Sequence, residues 1–76
     1  MAAKKSPVNV ALGEAMRSAR HDRGYNQEGL ARRSGLDRSY YGAIERGEFN
    51  ITMDTVAKVA AALALSISDL LRRARL

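Results

Sequence analysis

One stretch of the sequence decides the fold: residues 27–46 read QEGLARRSGLDRSYYGAIER. Asn26, immediately before it, is a good N-cap, and Gly35 can supply the left-handed backbone conformation that ends a helix. Between them, residues 27–34 predict a helix of about two turns. The small Ala31 would let a second helix approach closely. The first half of the stretch therefore indicates a short helix that ends in a tight glycine turn.

The second half of the stretch predicts another short helix. Asp37 can cap it, residues 38–46 fill it, and Gly47 stops it. Apolar side chains would fill the wedge between the two helices: Leu30, Leu36, Tyr41 and Ile44. Two short helices joined by a glycine turn, with apolar side chains packed between them, predict a helix-turn-helix.

Three further helices are expected around this unit. The first would begin at Asn9 as N-cap and end at Gly24, and the fourth would begin after Thr52. Inward positions of the first helix are Leu12, Ala15, Met16 and Ala19; those of the fourth are Met53, Val56, Ala57, Ala60 and Leu63. Ser66 or Ser68 would cap the fifth. The fold class is thus all-α, a compact five-helix bundle, preceded by a flexible basic N-terminal arm over residues 1–8.

Composition restricts the function. The chain has 76 residues and a net charge of +5, and 46% of its residues are apolar, so it should fold and bind an anionic partner. Cysteine is absent and His21 is the single histidine, which excludes a Cys/His metal site. The longest apolar run is far shorter than a membrane span, and no signal peptide is evident. A cytosolic protein that does not bind membranes is expected.

No catalytic constellation is visible in the sequence. The carboxylates are scattered, no glycine loop suited to cradling phosphates occurs, and no serine has the histidine at a suitable spacing. We therefore expect no enzymatic activity, no cofactor and no small-molecule effector.

Several motifs resemble those of the Cro and phage-repressor (Xre) family of transcription regulators over residues 10–72. They are Arg20-x-x-x-Gly24, Asn26-Gln27-x-x-Leu30-Ala31-x-x-x-Gly35, Ile44-Glu45-Arg46-Gly47 and Leu63-x-Leu65-Ser66-x-x-Asp69-Leu70-Leu71. Within the family, Leu36-Asp37-Arg38-Ser39-Tyr40 and Asn50-Ile51-Thr52 look most like the controller proteins of restriction-modification systems. This resemblance implies a lambda-repressor-like DNA-binding domain over residues 9–76.

The resemblance implies that the helix 38–46 enters the major groove of double-stranded DNA. Arg38 would bond a guanine edge, Ser39 and Tyr40 would add hydroxyl contacts, and Ala43 would touch a thymine methyl. Positions at which the family holds phosphates are Gln27, Arg46, Gly47 and Asn26. A structural ion pair is implied between Arg20 and Glu45.

The C-terminal region predicts a homodimer. Residues 48–71 carry a net charge of −2 and are the most apolar part of the chain. The expected dimer interface comprises Leu65, Ile67, Leu70 and Leu71. Two-fold symmetry would match a palindromic operator.

Two classes of function stay open on the sequence alone. The first is a transcription regulator, which includes a restriction-modification controller, a stand-alone regulator and an antitoxin that represses its own operon. The second is a protein-interaction module that uses the same fold to grip a toxin or a polymerase subunit. RNA polymerase is accordingly a candidate partner beside operator DNA.

Overall fold

Five α-helices make up the computed structural model, which describes residues 6–76. They are α1 Pro7–Asp22, α2 Gln27–Ser34, α3 Arg38–Glu45, α4 Met53–Ala62 and α5 Ile67–Arg73. The described residues contain no strand, so the predicted all-α class and helix count are confirmed. Among these helices, none is both long and apolar enough to cross a membrane.

The first helix begins earlier than predicted. Ser6, not Asn9, is the N-cap: its side-chain oxygen accepts a hydrogen bond from the Asn9 amide at 3.1 Å, and Pro7 follows in the first turn. Proline fits this place because the first-turn amides have no partner within the helix. Residues 7 and 8 therefore belong to α1, not to an arm, and residues 1–5 of the predicted arm lie outside the described residues.

The other caps are those that the sequence indicates. Gly35 adopts a left-handed φ of 71° after α2, and the Asn26 side chain accepts from the amide of Gly29 at 2.7 Å. Thr52 caps α4. Ser66, one of the two candidates, caps α5 and forms a capping box with Asp69. Arg46 is the C-cap of α3 and not its last helical residue.

One core lies between the helices and includes most of the predicted inward residues. Its largest fully buried side chains are Tyr41, Met16, Leu30, Ile44, Leu63, Leu70, Val56 and Val59. Met53 was expected on the inner face of α4, yet it is 58% exposed. Met53 is in the first turn of α4, outside its buried face. That face comprises Val56, Val59 and Ala60, and Leu63, the C-cap, continues it.

Helix α3 is held from two sides, by α1 and by α2. Gly13 is the contact point on α1: a Cβ atom there would lie 2.5 Å from the carbonyl oxygen of Glu45. Only a residue without a side chain permits this approach. The C-terminal half of α3 is thus fixed against α1, while Arg38 and Ser39 in its first turn are exposed.

Candidate nucleic-acid interface

The N-terminal turn of α3 presents polar side chains to solvent. Asp37 caps the helix: one carboxylate oxygen accepts from the amides of Ser39 at 3.0 Å and Tyr40 at 3.3 Å. Arg38 and Ser39 are exposed, and Tyr40 is half-buried. Three of the four residues predicted to contact bases therefore lie together at the exposed end of α3.

Ala43, the fourth, does not belong to this surface. It is 4% exposed and lies in the buried half of α3. The turn at Gly47 brings the chain back to this part of the helix, where the amide of Glu48 donates to the Ala43 carbonyl at 3.0 Å. Burial of Ala43 disfavours the predicted contact between its methyl and a thymine, which stays a prediction.

Gln27 and Arg46, predicted to contact phosphates, both lie next to Gly42. A Cβ atom on Gly42 would lie 3.4 Å from both the Gln27 Oε1 and the Arg46 Nη1. A methyl group at this position would therefore make ordinary van der Waals contact with both side chains. Arg46 is largely exposed, and its guanidinium pairs with Glu48 through Nε at 2.8 Å and Nη2 at 3.1 Å.

The remaining two predicted phosphate contacts differ in outcome. Asn26 is exposed beside Gln27; its side-chain oxygen caps α2, which leaves the amide nitrogen as the group able to donate to a phosphate. Gly47 is buried, and its amide donates to the Ile44 carbonyl at 3.0 Å. A Cβ on Gly47 would lie 2.9 Å from the Val10 side chain. Gly47 therefore packs against α1, and its bonded amide disfavours the predicted phosphate contact, which stays a prediction.

A buried polar network lies directly behind this surface. Arg20 and Glu45 form the expected ion pair, with Arg20 Nε 2.6 Å and Nη2 3.1 Å from the two carboxylate oxygens. The Tyr41 hydroxyl donates to Glu45 at 2.5 Å, and Gln27 Nε2 donates at 3.0 Å. Each oxygen of Glu45 thus accepts two hydrogen bonds, so the buried carboxylate is fully satisfied.

The environment of the network fixes its charges. Burial acts to raise the pKa of Glu45, but the hydrogen bonds from Arg20, Tyr41 and Gln27 outweigh it and hold this pKa below its ordinary value. The hydrogen bond to Glu45 raises the pKa of Arg20. Burial, together with the hydrogen bond to Glu45, raises the pKa of Tyr41. At neutral pH the network therefore joins a carboxylate and a guanidinium with a neutral phenol.

Two of these hydrogen bonds differ from what the sequence predicts. The sequence predicts Tyr41 in the core, and the family resemblance implies that Gln27 binds phosphate; neither prediction includes Glu45. The spacing of Tyr41 and Glu45, four residues apart on one helix, is a signal for their contact. No such signal exists for Gln27, because its approach to Glu45 depends on how α2 packs on α3.

The structure removes one residue from the set predicted to form a dimer interface on and before α5. Leu70 is fully buried in the core of the single chain and so cannot form part of an interface. Leu65, Ile67 and Leu71 are half-buried and pack against the edge of the core. These three side chains keep part of their apolar surface exposed.

The chain is similar in sequence and in fold to known transcription regulators. The chain is 45% identical over 66 residues to the control protein C.SmaI of Serratia marcescens, covering 87% of the chain and 79% of that protein. It is 42% identical over 64 residues to a hypothetical transcription factor of Neisseria meningitidis, covering 84% of the chain but only 60% of that protein. The crystal structure of the restriction-modification controller C.AhdI from Aeromonas hydrophila superposes with a TM-score of 0.79 at 42% identity, covering 82% of the chain and 94% of that structure.

These similarities confirm the resemblance that the motifs indicated, including the likeness to control proteins. The model of the helix-turn-helix family matches residues 16–70, which include α2, the glycine turn and α3. The match covers well over half of the chain, and the C.AhdI structure shares its fold. The chain belongs to the helix-turn-helix family.

Proposed function

We propose that this chain is a transcription regulator that binds a palindromic DNA operator as a homodimer, with α3 in the major groove. One observation carries the proposal: the first turn of α3 is exposed and polar, while the rest of the helix is fixed by α1, α2 and the Glu45 network. A rigid helix with a free polar end is what reading of base edges requires.

Arg38 is the main base-reading residue in this proposal. A guanidinium can donate to O6 and N7 of one guanine, and such a pair discriminates against other bases by about 1–3 kcal/mol. Ser39 and Tyr40 add hydroxyl groups next to it. Direct readout then depends on three side chains, so the shape of the DNA between the half-sites contributes to specificity as well.

The phosphate contacts would lie beside this turn. Gln27 uses one amide hydrogen for Glu45 and keeps a second hydrogen for a phosphate oxygen. Arg46 and Asn26 supply a charged and a neutral donor at the same edge. Contacts of this kind fix the register of the protein on DNA without reading sequence.

The homodimer would form through α5 and the turn before it. Leu65, Ile67 and Leu71 leave apolar surface on this side of the chain. A two-fold dimer would set the two α3 helices about 34–36 Å apart, one turn of DNA. The similarity to C.SmaI and C.AhdI supports a role as a restriction-modification controller, and a regulator that activates transcription would also contact RNA polymerase.

Selection of bound DNA from a random pool tests the central part of the proposal. We expect an enriched site composed of two inverted half-sites, each with a guanine at a fixed position, spaced by about one helical turn. Enrichment of no sequence, with weak binding that disappears at moderate salt, would reject sequence-specific regulation and would favour the protein-interaction module.

Sedimentation tests the dimer. The wild-type chain is expected to sediment as a dimer at micromolar concentration, and Ile67→Asp should shift it to monomer because the charge would be buried at the interface. Val8→Asp is the matched control, since Val8 is 51% exposed in the first turn of α1, whereas the hydrogen bonds between α1 and α5 lie near the other end of α1, at Ser18 and Asp22. A wild-type chain that remains monomeric at high micromolar concentration would contradict the dimer.

A further inference from the structure

An aromatic residue outside α3 contacts the exposed end of that helix. Phe49 lies in the loop between α3 and α4 and is 47% exposed. Its ring is tilted 48° to the ring of Tyr40, and the two centroids are 6.0 Å apart. This separation and tilt lie within the range of favourable aromatic pairs.

The loop that carries Phe49 is fixed on both sides. Before it, Gly47 packs against Val10 so closely that a Cβ on Gly47 would lie 2.9 Å from the Val10 side chain. After it, the side-chain amide of Asn9 donates to Asn50 Oδ1 at 2.8 Å. Asn9 is buried and Asn50 is exposed, so this hydrogen bond is partly shielded from water. The first turns of α1 therefore hold the loop in place around Phe49.

The restrained loop limits where the Tyr40 side chain can go. Tyr40 is half-buried, with one part packed on the core edge and its ring against Phe49. A side chain held in one orientation before binding loses less conformational entropy when it contacts a ligand. The Tyr40 hydroxyl would therefore meet DNA in a fixed position and not as one of several rotamers.

We infer that Phe49 is a positioning residue for DNA readout: anchored to α1 through its loop, it holds the Tyr40 ring so that the hydroxyl reads one base pair of the operator. The inference rests on the proposed function, because it needs α3 in the major groove. It assigns specificity to a residue that itself offers no hydrogen bond to a base.

A double-mutant cycle on sequence preference tests the inference. Tyr40→Phe removes only the hydroxyl and identifies the base pair that it reads, as the position where preference declines. Phe49→Ala should lower preference at that same base pair by about two- to tenfold, the range expected for loss of one aromatic pair. In the Tyr40→Phe background, Phe49→Ala should change preference no further.

Controls separate positioning from stability. Phe49→Leu keeps an apolar side chain in the loop and should retain the fold, as thermal unfolding will show, while still losing preference because it lacks a ring. Met53→Ala removes another exposed apolar side chain, four residues later in the chain, and should leave preference unchanged.

Three results would overturn the inference while leaving sequence-specific regulation through Arg38 intact: Tyr40→Phe without effect on preference, Phe49→Ala equally effective in both backgrounds, or a uniform loss of affinity from Phe49→Ala on all DNA sequences. Absence of any sequence preference in the wild-type chain would reject the inference and the proposed function together.

Discussion

The Arg46 guanidinium donates two hydrogen bonds to the Glu48 carboxylate, at 2.8 and 3.1 Å, on the surface proposed to meet DNA phosphates. The bond from Arg46 to Glu48 raises the pKa of Arg46, so the cation is permanent. In the free protein the Glu48 carboxylate thus occupies the Arg46 guanidinium, which would bind a phosphate in the complex.

Glu48→Gln should therefore tighten DNA binding by about two- to fivefold at low salt, on operator and random DNA alike, because Arg46 no longer has to leave an anion. Fluorescence anisotropy over a salt series measures the effect. In an Arg46→Ala background the gain should be clearly smaller. Glu28→Gln is the control. It removes an equal charge on α2, where the Glu28 carboxylate lies 3.9 Å from the Arg32 guanidinium, a longer contact than that between Glu48 and Arg46. An equal gain with and without Arg46 would show a simple charge effect.

The Glu45 carboxylate predicts how stability responds to acid. Its pKa is lower in the folded chain than the value of about 4.3 expected in the unfolded chain. A lowered folded pKa contributes stability above the unfolded pKa, and this contribution is lost as pH falls through the folded pKa. Urea unfolding between pH 7 and pH 3 should show this loss below about pH 4 in the wild type.

Glu45→Gln should remove that part of the pH dependence. It should also cost about 3–5 kcal/mol at neutral pH, because Arg20 is left buried without its counter-charge. Glu14→Gln, at an exposed position of α1, serves as control and should retain the wild-type curve. An unchanged acid response in Glu45→Gln would contradict the role assigned to this carboxylate.

Tyr41→Phe isolates the hydroxyl within the network. The ring stays in the core, but one of four donors to a buried carboxylate is lost, and we expect a cost of about 1–3 kcal/mol in the free energy of unfolding. Tyr25→Phe is the matched control: Tyr25 is half-buried, with the Arg33 guanidinium 4.4 Å from its ring centroid. Equal small losses in both variants would mean that the hydroxyl of Tyr41 contributes nothing specific.

Local signals in the sequence were sufficient for most helix ends. The caps at Asn26, Asp37, Thr52 and Ser66 each depend on a side chain within three residues of the amide that it bonds, so they can be predicted without tertiary information. The start of α1 was predicted incorrectly because Asn9 also fits a cap. Its actual bond, to Asn50, joins residues 41 positions apart.

In the candidate site, the exposed residues at the start of α3 can be predicted from the sequence, but the buried residues only in part. Arg38 and Ser39 follow from the helix start alone. Burial of Ala43, Gly47 and Leu70 depends on how loops and helices fold back, and no periodicity within one helix reveals that. Gly13 was overlooked, although a glycine inside a helix without a local reason is a signal of close packing.

Gly13→Ala tests that close approach. Alanine favours a helix over glycine by about 1 kcal/mol, yet the added methyl would lie 2.5 Å from the Glu45 carbonyl oxygen and force α1 from α3. A net loss of about 1–3 kcal/mol is expected in chemical unfolding. Gly29→Ala, within α2, meets only the Asn26 side-chain oxygen at 3.1 Å and should stay within about 1 kcal/mol of wild type. A Gly13→Ala chain as stable as Gly29→Ala would argue against the tight contact.

The reading of base edges by α3 is tested most directly by the sequence preference of Arg38→Ala, determined by selection from a random DNA pool beside the wild type and Arg72→Ala. Arg72 is exposed on α5, so its replacement removes the same charge away from α3. Arg38→Ala should lose the preference for guanine at one position in each half-site, by about 1–3 kcal/mol, while Arg72→Ala selects the wild-type site. An unchanged site for Arg38→Ala would contradict the reading of DNA by the first turn of α3.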